Sequence, residues 1–149
     1  MIIMGIDPGS VSGAFAIIDT TAGSARVGDL PVVEKNIHAA EFARSIGVYN
    51  PDVAVVERVN AFPKQGVSSV FAFGRAVGII HGVLAASDVR IELVTPTVWK
   101  KFFKLGRDKE ASRALAIRLF PQVAGLQLKK HSDRAEALLM AHWYKEHAK

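Results

Sequence analysis

Four carboxylates in this chain stand where a charge is expensive. Asp7 follows Ile2-Ile3-Met4-Gly5-Ile6, Glu57 follows Val53-Ala54-Val55-Val56, and Asp133 with Glu136 opens the last apolar segment. An ionised carboxylate that abuts a core loses its hydration, so it must be paired, hydrogen-bonded or bound to a metal. Asp133 and Glu136 are three residues apart, which on a helix gives them one face, with side-chain roots about 5–6 Å from each other. Like charges so close repel unless a cation lies between them. Each piece also has a plainer reading: Asp133 and Glu136 suit a helix N-terminal dipole, and Asp7 suits an Asx-turn before Pro8-Gly9. Together the four supply the hard oxygen donors that a pair of Mg²⁺ or Mn²⁺ ions requires. Two such ions held roughly 3.5–4 Å apart activate a water on one side of a phosphorus and stabilise the leaving oxygen on the other, which is phosphodiester hydrolysis.

A cationic stretch complements the acids. Lys100, Lys101, Lys104, Arg107, Lys109, Arg113 and Arg118 crowd one segment, and 19 Lys and Arg against 14 Asp and Glu leave a net charge of +5. Clustered positive charge favours a polyanion such as nucleic acid. The segment from Lys100 to Lys109 can hold phosphates against the metals, which phosphoryl chemistry needs for positioning and charge neutralisation. Cysteine is absent, which removes a disulfide framework, thiolate-bound zinc and a cysteine nucleophile. His131 and His142 are candidates for an acid, base or ligand, and His131 is nearer the acids in sequence. Trp99, Trp143 and Phe120 fit core packing at helical spacing and receive no function.

The elements that must position these groups alternate. Residues 2–6 and 14–18 read as strands flanking the turn Asp7-Pro8-Gly9-Ser10, with a weaker strand over 25–33. A helix over 39–48 breaks at Asn50-Pro51-Asp52, and 53–56 is a run suited to a strand buried on both faces. Residues 91–94 form another strand; Pro96 opens a helix carrying Trp99 and Phe102, Asp108 caps a helix to Phe120, and a last helix runs from Ser132 to about His147. The order predicts a three-layer α/β or α+β sheet with helices on its faces, one domain over residues 1–149. If the first and later strands run parallel, Asp7 and Glu57 leave the sheet at one edge, where ligands collect.

The long apolar run from Val67 to Ala86 permits a buried helix or a membrane span. Arg75 near its middle costs about 2.5–3.5 kcal/mol in a membrane, so a core or interface helix is expected. The absence of a basic, hydrophobic leader predicts a cytoplasmic protein. Gly74, Gly78 and Gly82 recur every four residues along that helix, at about 1 kcal/mol each against alanine. Close approach of another backbone, or packing on the chain's own sheet, must offset that.

These residues resemble a known family. Met4-Gly5-Ile6-Asp7-Pro8-Gly9 resembles the opening motif of RuvC-type Holliday-junction resolvases, Val55-Val56-Glu57 their second acidic strand, and Asp133-Arg134-Ala135-Glu136-Ala137-Leu138 their final acidic helix, usually written D-x-x-D-A-L. The resemblance spans nearly the whole chain in the family's order, and the chain is a little short beside bacterial resolvases, which suggests a phage-type or otherwise trimmed member. It implies an RNase H-like fold with a mixed central sheet and helices on both faces. It also implies a homodimer whose two sites cut a four-way DNA junction by paired nicks, with Mg²⁺ (two ions, Mn²⁺ substituting) as the only cofactor.

By resemblance, Asp7, Glu57, Asp133 and Glu136 are the metal-binding acids, with Glu136 where relatives carry Asp. Lys100 or Lys101, and Lys109, fall near the family's basic active-site residues. Lys64, Lys101, Lys104 and Arg107 join these lysines as DNA contacts. The loop Asn60-Ala61-Phe62-Pro63-Lys64-Gln65-Gly66 occupies the place of an aromatic wedge, so Phe62 is either that wedge or a buried loop anchor. The stripe Gly74, Gly78 and Gly82 falls on the helix that lies at the family's dimer interface. Competing readings are an RNase H-like nuclease for other branched or hybrid substrates and a non-catalytic junction-binding module. An actin-like nucleotide binder needs two such domains, more than 149 residues supply.

Overall fold

The computed structural model describes residues 1–9 and 12–148, so Ser10 of the expected turn lies outside the described residues. A five-stranded mixed sheet carries helices on both faces. Its strands in chain order are β1 (Ile2–Asp7), β2 (Ala14–Asp19), β3 (Ser24–Asp29), β6 (Val53–Glu57) and β7 (Arg90–Val94), arranged β3-β2-β1-β6-β7. β1, β2 and β3 pair antiparallel, whereas β6 pairs parallel with both β1 and β7. The weak strand expected over 25–33 is β3 followed by a separate ribbon, β4 (Val32–Val33) with β5 (Asn36–Ile37). Residues at Leu30 and Pro31 divide them, because proline cannot donate to a ladder.

Alternation along the strands builds two cores. Met4, Ile6, Ala54 and Val56 face α1 (Ala39–Tyr49) and α2 (Val67–Ala86), packing against Phe42, Ile46, Ile80 and Leu84. Ile3, Val53 and Val55 face the opposite layer, where Trp99 of α3 (Pro96–Phe102), Ala116 of α4 (Lys109–Leu119) and Leu138 of α5 (Ser132–His147) close the second core. Asp108 caps α4 as expected, its side chain accepting from Glu110 N–H at 2.9 Å. Phe120 follows the helix as its C-cap.

α2 is long and apolar enough to cross a membrane, yet it buries Ala76, Ile80 and Leu84 on the sheet side. Its glycines do not pack on that sheet. Gly74, Gly78 and Gly82 point outward, and a Cβ added at any of them meets nothing within 4 Å. The reading in which the stripe packs against the chain's own sheet is thereby corrected: the inward spacing belongs to Ala76, Ile80 and Leu84, and the glycines lie on the other side.

Candidate metal centre and active site

Gly5 and Asp7 leave β1 toward α5, as do Val55 and Glu57 on β6, because residues two apart share a sheet face. The pairing of Ile6 with Val56 puts Asp7 and Glu57 side by side at the carboxyl end of two parallel strands. α5 then lies so close over β1 that a Cβ at Gly5 would sit 2.0 Å from the Ala137 carbonyl oxygen. Only glycine permits that approach, and the approach brings Glu136, next to Ala137, down to Asp7.

Ligand oxygens of Asp7, Asp133 and Glu136 lie within 4.8 Å of one another. Asp7 and Glu136 are buried, and Glu57 is only partly exposed. Burial of Glu136 shows that it does more than complement a helix dipole at the surface. Burial pushes the Asp7 carboxyl well above the usual carboxylate range, and the charges of Glu57, Asp133 and Glu136 push it further. Glu57 is also raised, by burial first, against a lowering hydrogen bond from Trp99. Three or four acids that oppose one another's ionisation form a hard-oxygen donor set that fits a divalent cation.

Two of the predicted lysines enter the same cluster. Lys109 Nζ lies 2.6 Å from Asp133 Oδ1 and 3.7 Å from Glu136 Oε2, and Lys100 Nζ lies 3.3 Å from Glu136 Oε1. Burial works against the Lys109 ammonium, but the Asp133 hydrogen bond and the charges of Glu136, Asp133 and Asp7 outweigh it and hold Lys109 above the usual lysine range. The Ser112 hydroxyl, fully buried on α4, donates to Glu136 Oε1 at 3.4 Å.

Lys101, Lys104 and Arg107 line an open groove of about 720 Å³ that also includes Lys100. Phe62 is 67% exposed, so it is no buried loop anchor. It walls a neighbouring pocket of about 510 Å³ with Glu57, Asn60, Phe73 and Pro96, while Lys64 lies exposed in the same loop at φ 74°. Arg113 is engaged within the chain. It donates to the Leu126 and Gln127 carbonyls and to Glu110.

The histidines have other partners. His131 Nδ1 accepts the Leu128 N–H at 3.2 Å and closes the turn before α5, and His131 is not among the clustered ligand groups. His142 packs against the rings of Phe103 and Phe120.

Two contributions escape the sequence reading. Trp99, assigned only to the core, donates its indole N–H to Glu57 Oε1 at 3.2 Å. Arg134, between Asp133 and Glu136 on α5, grips Asp29 at the end of β3 with two bonds of 2.8 Å and reaches the Gly125 carbonyl at 3.1 Å. The polar tip of a buried tryptophan is a signal available in the sequence, since it must find an acceptor. The Arg134–Asp29 pair spans 105 residues and has no local signature.

The family model for crossover junction endodeoxyribonuclease RuvC matches residues 3–142. The crossover junction endodeoxyribonuclease RuvC of Mycobacterium leprae is 26% identical over 95% of this chain and 79% of its own length. Among solved structures, the RuvC of T. thermophilus in complex with a Holliday junction substrate superposes with a TM-score of 0.71 at 18% identity, covering 99% of this chain and 96% of that one. The fowlpox virus resolvase with its Holliday junction DNA superposes with a TM-score of 0.65 at 22% identity, covering 99% of both chains. At those identities the two superpositions establish the fold.

Proposed function

Because this chain belongs to the RuvC family of crossover junction endodeoxyribonucleases, we propose that it resolves four-way DNA junctions as a cytoplasmic homodimer, by paired metal-dependent hydrolysis. The observation that carries the reading is the buried convergence of Asp7, Asp133 and Glu136, with Glu57 beside them and two lysines ion-paired at the rim. A non-catalytic binding module has no use for buried acids that raise one another's proton affinity.

Asp7, Glu57, Asp133 and Glu136 would hold two Mg²⁺ ions, for which Mn²⁺ substitutes. When bound, such ions activate a water and neutralise charge on the departing oxygen. The protein's own groups do the remainder. Lys109 keeps its proton throughout the working pH range and presents a fixed positive charge at the mouth of the acid cluster. Lys100 offers a second, 20% exposed at the side chain. Both are placed to engage phosphate oxygens beside the scissile bond, where preorganised charge is most effective.

Lys101, Lys104 and Arg107 extend the cationic surface along the adjoining groove, which suits a DNA backbone. Phe62 projects far enough to stack on a base that a junction leaves unpaired, with Lys64 next to it for a neighbouring phosphate. The outward backbone of Gly74, Gly78 and Gly82 accommodates the same helix of a second copy. Two sites in one dimer then account for symmetric nicks.

The test is cleavage of an immobile four-way junction in Mg²⁺, with product mapping. Symmetric nicks in opposed strands are expected. Cleavage of RNA–DNA hybrid in preference to the junction, or junction binding without any turnover in Mg²⁺ or Mn²⁺, would overturn the reading.

A further inference from the structure

The indole of Trp99 has no exposed surface, and its N–H is committed to one oxygen of Glu57. We infer that Trp99 is a positioning residue for the acidic centre, holding Glu57 Oε1 so that this acid offers its other oxygen first to a cation. The inference rests on reading Glu57 as a metal ligand and adds what its neighbour does to it.

The geometry follows from the chain path. Glu57 ends β6 in register with Val94, the last residue of β7, and α3 begins two residues later at Pro96. The first turn of that helix carries Trp99 back over the strand end it has just left. Asp7, Asp133 and Glu136 come within 4.8 Å, and Glu57 stands beside that group, near enough for its charge to raise Asp7. Lys100, the next residue, lies with Nζ 5.2 Å from the centre of the Trp99 ring and 3.3 Å from Glu136 Oε1. One ring thus orients a carboxylate at its edge and supports an ammonium at its face.

A carboxylate oxygen that already accepts an N–H has one lone pair fewer for a cation, so its partner oxygen is the better ligand and single-atom coordination is favoured. That suits Mg²⁺, which accepts single oxygens in strict octahedral geometry, and it disfavours Ca²⁺, which takes more ligands and often both oxygens of one carboxylate. Trp99 therefore sets metal preference as well as Glu57 orientation. A residue that only fills the core would alter neither.

Calorimetric titration of the whole protein with Mg²⁺, and separately with Ca²⁺, tests this on wild type, Glu57→Gln and Trp99→Phe. Glu57→Gln is expected to remove one Mg²⁺ site. Trp99→Phe, which keeps most of the buried ring, is expected to weaken that same site for Mg²⁺ by roughly 10–100-fold and for Ca²⁺ by much less. An unaltered Mg²⁺ site in Trp99→Phe, with the Glu57→Gln effect intact, overturns the inference and leaves the metal reading standing. Unaltered binding in Glu57→Gln overturns the metal reading and the inference with it.

Should Trp99→Phe not fold, Trp143→Phe leaves Trp99 as the chain's one remaining tryptophan. Trp143 Nε1 is buried without a hydrogen-bond partner, so its removal disturbs no bond. Mg²⁺ should then change Trp99 fluorescence in Trp143→Phe but not in Trp143→Phe with Glu57→Gln. A flat signal in the first protein, with Mg²⁺ bound by calorimetry, overturns the inference.

Discussion

The acid pocket and the Phe62–α2 arm both carry features that are unfavourable in isolation, yet only the pocket is balanced from within. Its buried carboxylates meet Lys100, Lys109, Ser112 and Trp99 of the same chain. Along the arm, Phe62, Val67 and Phe71 remain 67%, 86% and 68% exposed, and three helical glycines face open space. The contrast teaches that buried charge must be answered from within the chain, whereas exposed apolar surface and outward-facing glycines need no such answer there.

The largest effect that would break this contrast is on the pocket. Asp7→Asn should reduce junction cleavage by about 10³-fold, since metal stabilisation of the transition state is worth several kcal/mol and each 1.36 kcal/mol is tenfold. The same variant should be more stable than wild type without metal at neutral pH. Asp7 has a raised folded-state pKa, so its stabilising contribution is present below the unfolded value and is lost as pH rises through the folded one. Above both values the ionised acid is a burden that asparagine lacks. Thermal melts in chelator from mildly acidic to neutral pH should show the advantage of Asp7→Asn shrinking as pH falls.

On the arm, Gly78→Leu should convert a dimer to a monomer by light scattering while leaving a folded chain. No atom lies within 4 Å of the added Cβ, and the exchange gains helix propensity of up to about 1 kcal/mol. A lowered melting temperature with unchanged mass would reverse the contrast, because the glycine would then serve its own chain.

Sequence reading reached these two regions unequally, for physical reasons. A charge at the end of a buried strand is anomalous locally, so Asp7 and Glu57 stood out, and the three-residue step from Asp133 to Glu136 gave a shared helix face. Lys109 and Lys100 came from the family resemblance, and the structure brings both to the acids. The glycine spacing was visible, but the side it faced was not, since Ala76, Ile80 and Leu84, two residues on, repeat with the same period. The meeting of Trp99 with Glu57 depends on the register of β6 with β7 and on the start of α3, which no local sequence pattern reports. Nearness of His131 to Asp133 in sequence does not fix where its imidazole points, and its Nδ1 closes the turn before α5.

Phe62→Ala should weaken binding to a four-way junction roughly tenfold, given 1–3 kcal/mol for an aromatic stacked on a base. Mg²⁺ affinity of the free protein should not change. Equal losses of both would merge the arm with the pocket and end the distinction between them.

The smallest effect concerns how the pocket keeps its shape against the mutual repulsion of its acids. Asp29 pairs with Ala14 on β2, and Ala14 pairs with Asp7 on β1, so Asp29 and Asp7 lie in one row across the sheet. Arg134 ties α5 to that row, which fixes Asp133 and Glu136 against Asp7. The Arg134 hydrogen bond holds the Asp29 carboxyl below its usual range, so this pair stabilises the fold above the unfolded value and loses its effect as pH falls through the folded one. Asp29 is 65% exposed at its side chain, so solvent screening limits the contribution to about 1 kcal/mol or less. Urea unfolding of Asp29→Asn at neutral pH should show a loss of that size, vanishing in strong acid. No loss in Asp29→Asn at neutral pH would mean that Arg134 acts through the Gly125 carbonyl alone, and that the sheet row does not hold the final acidic helix.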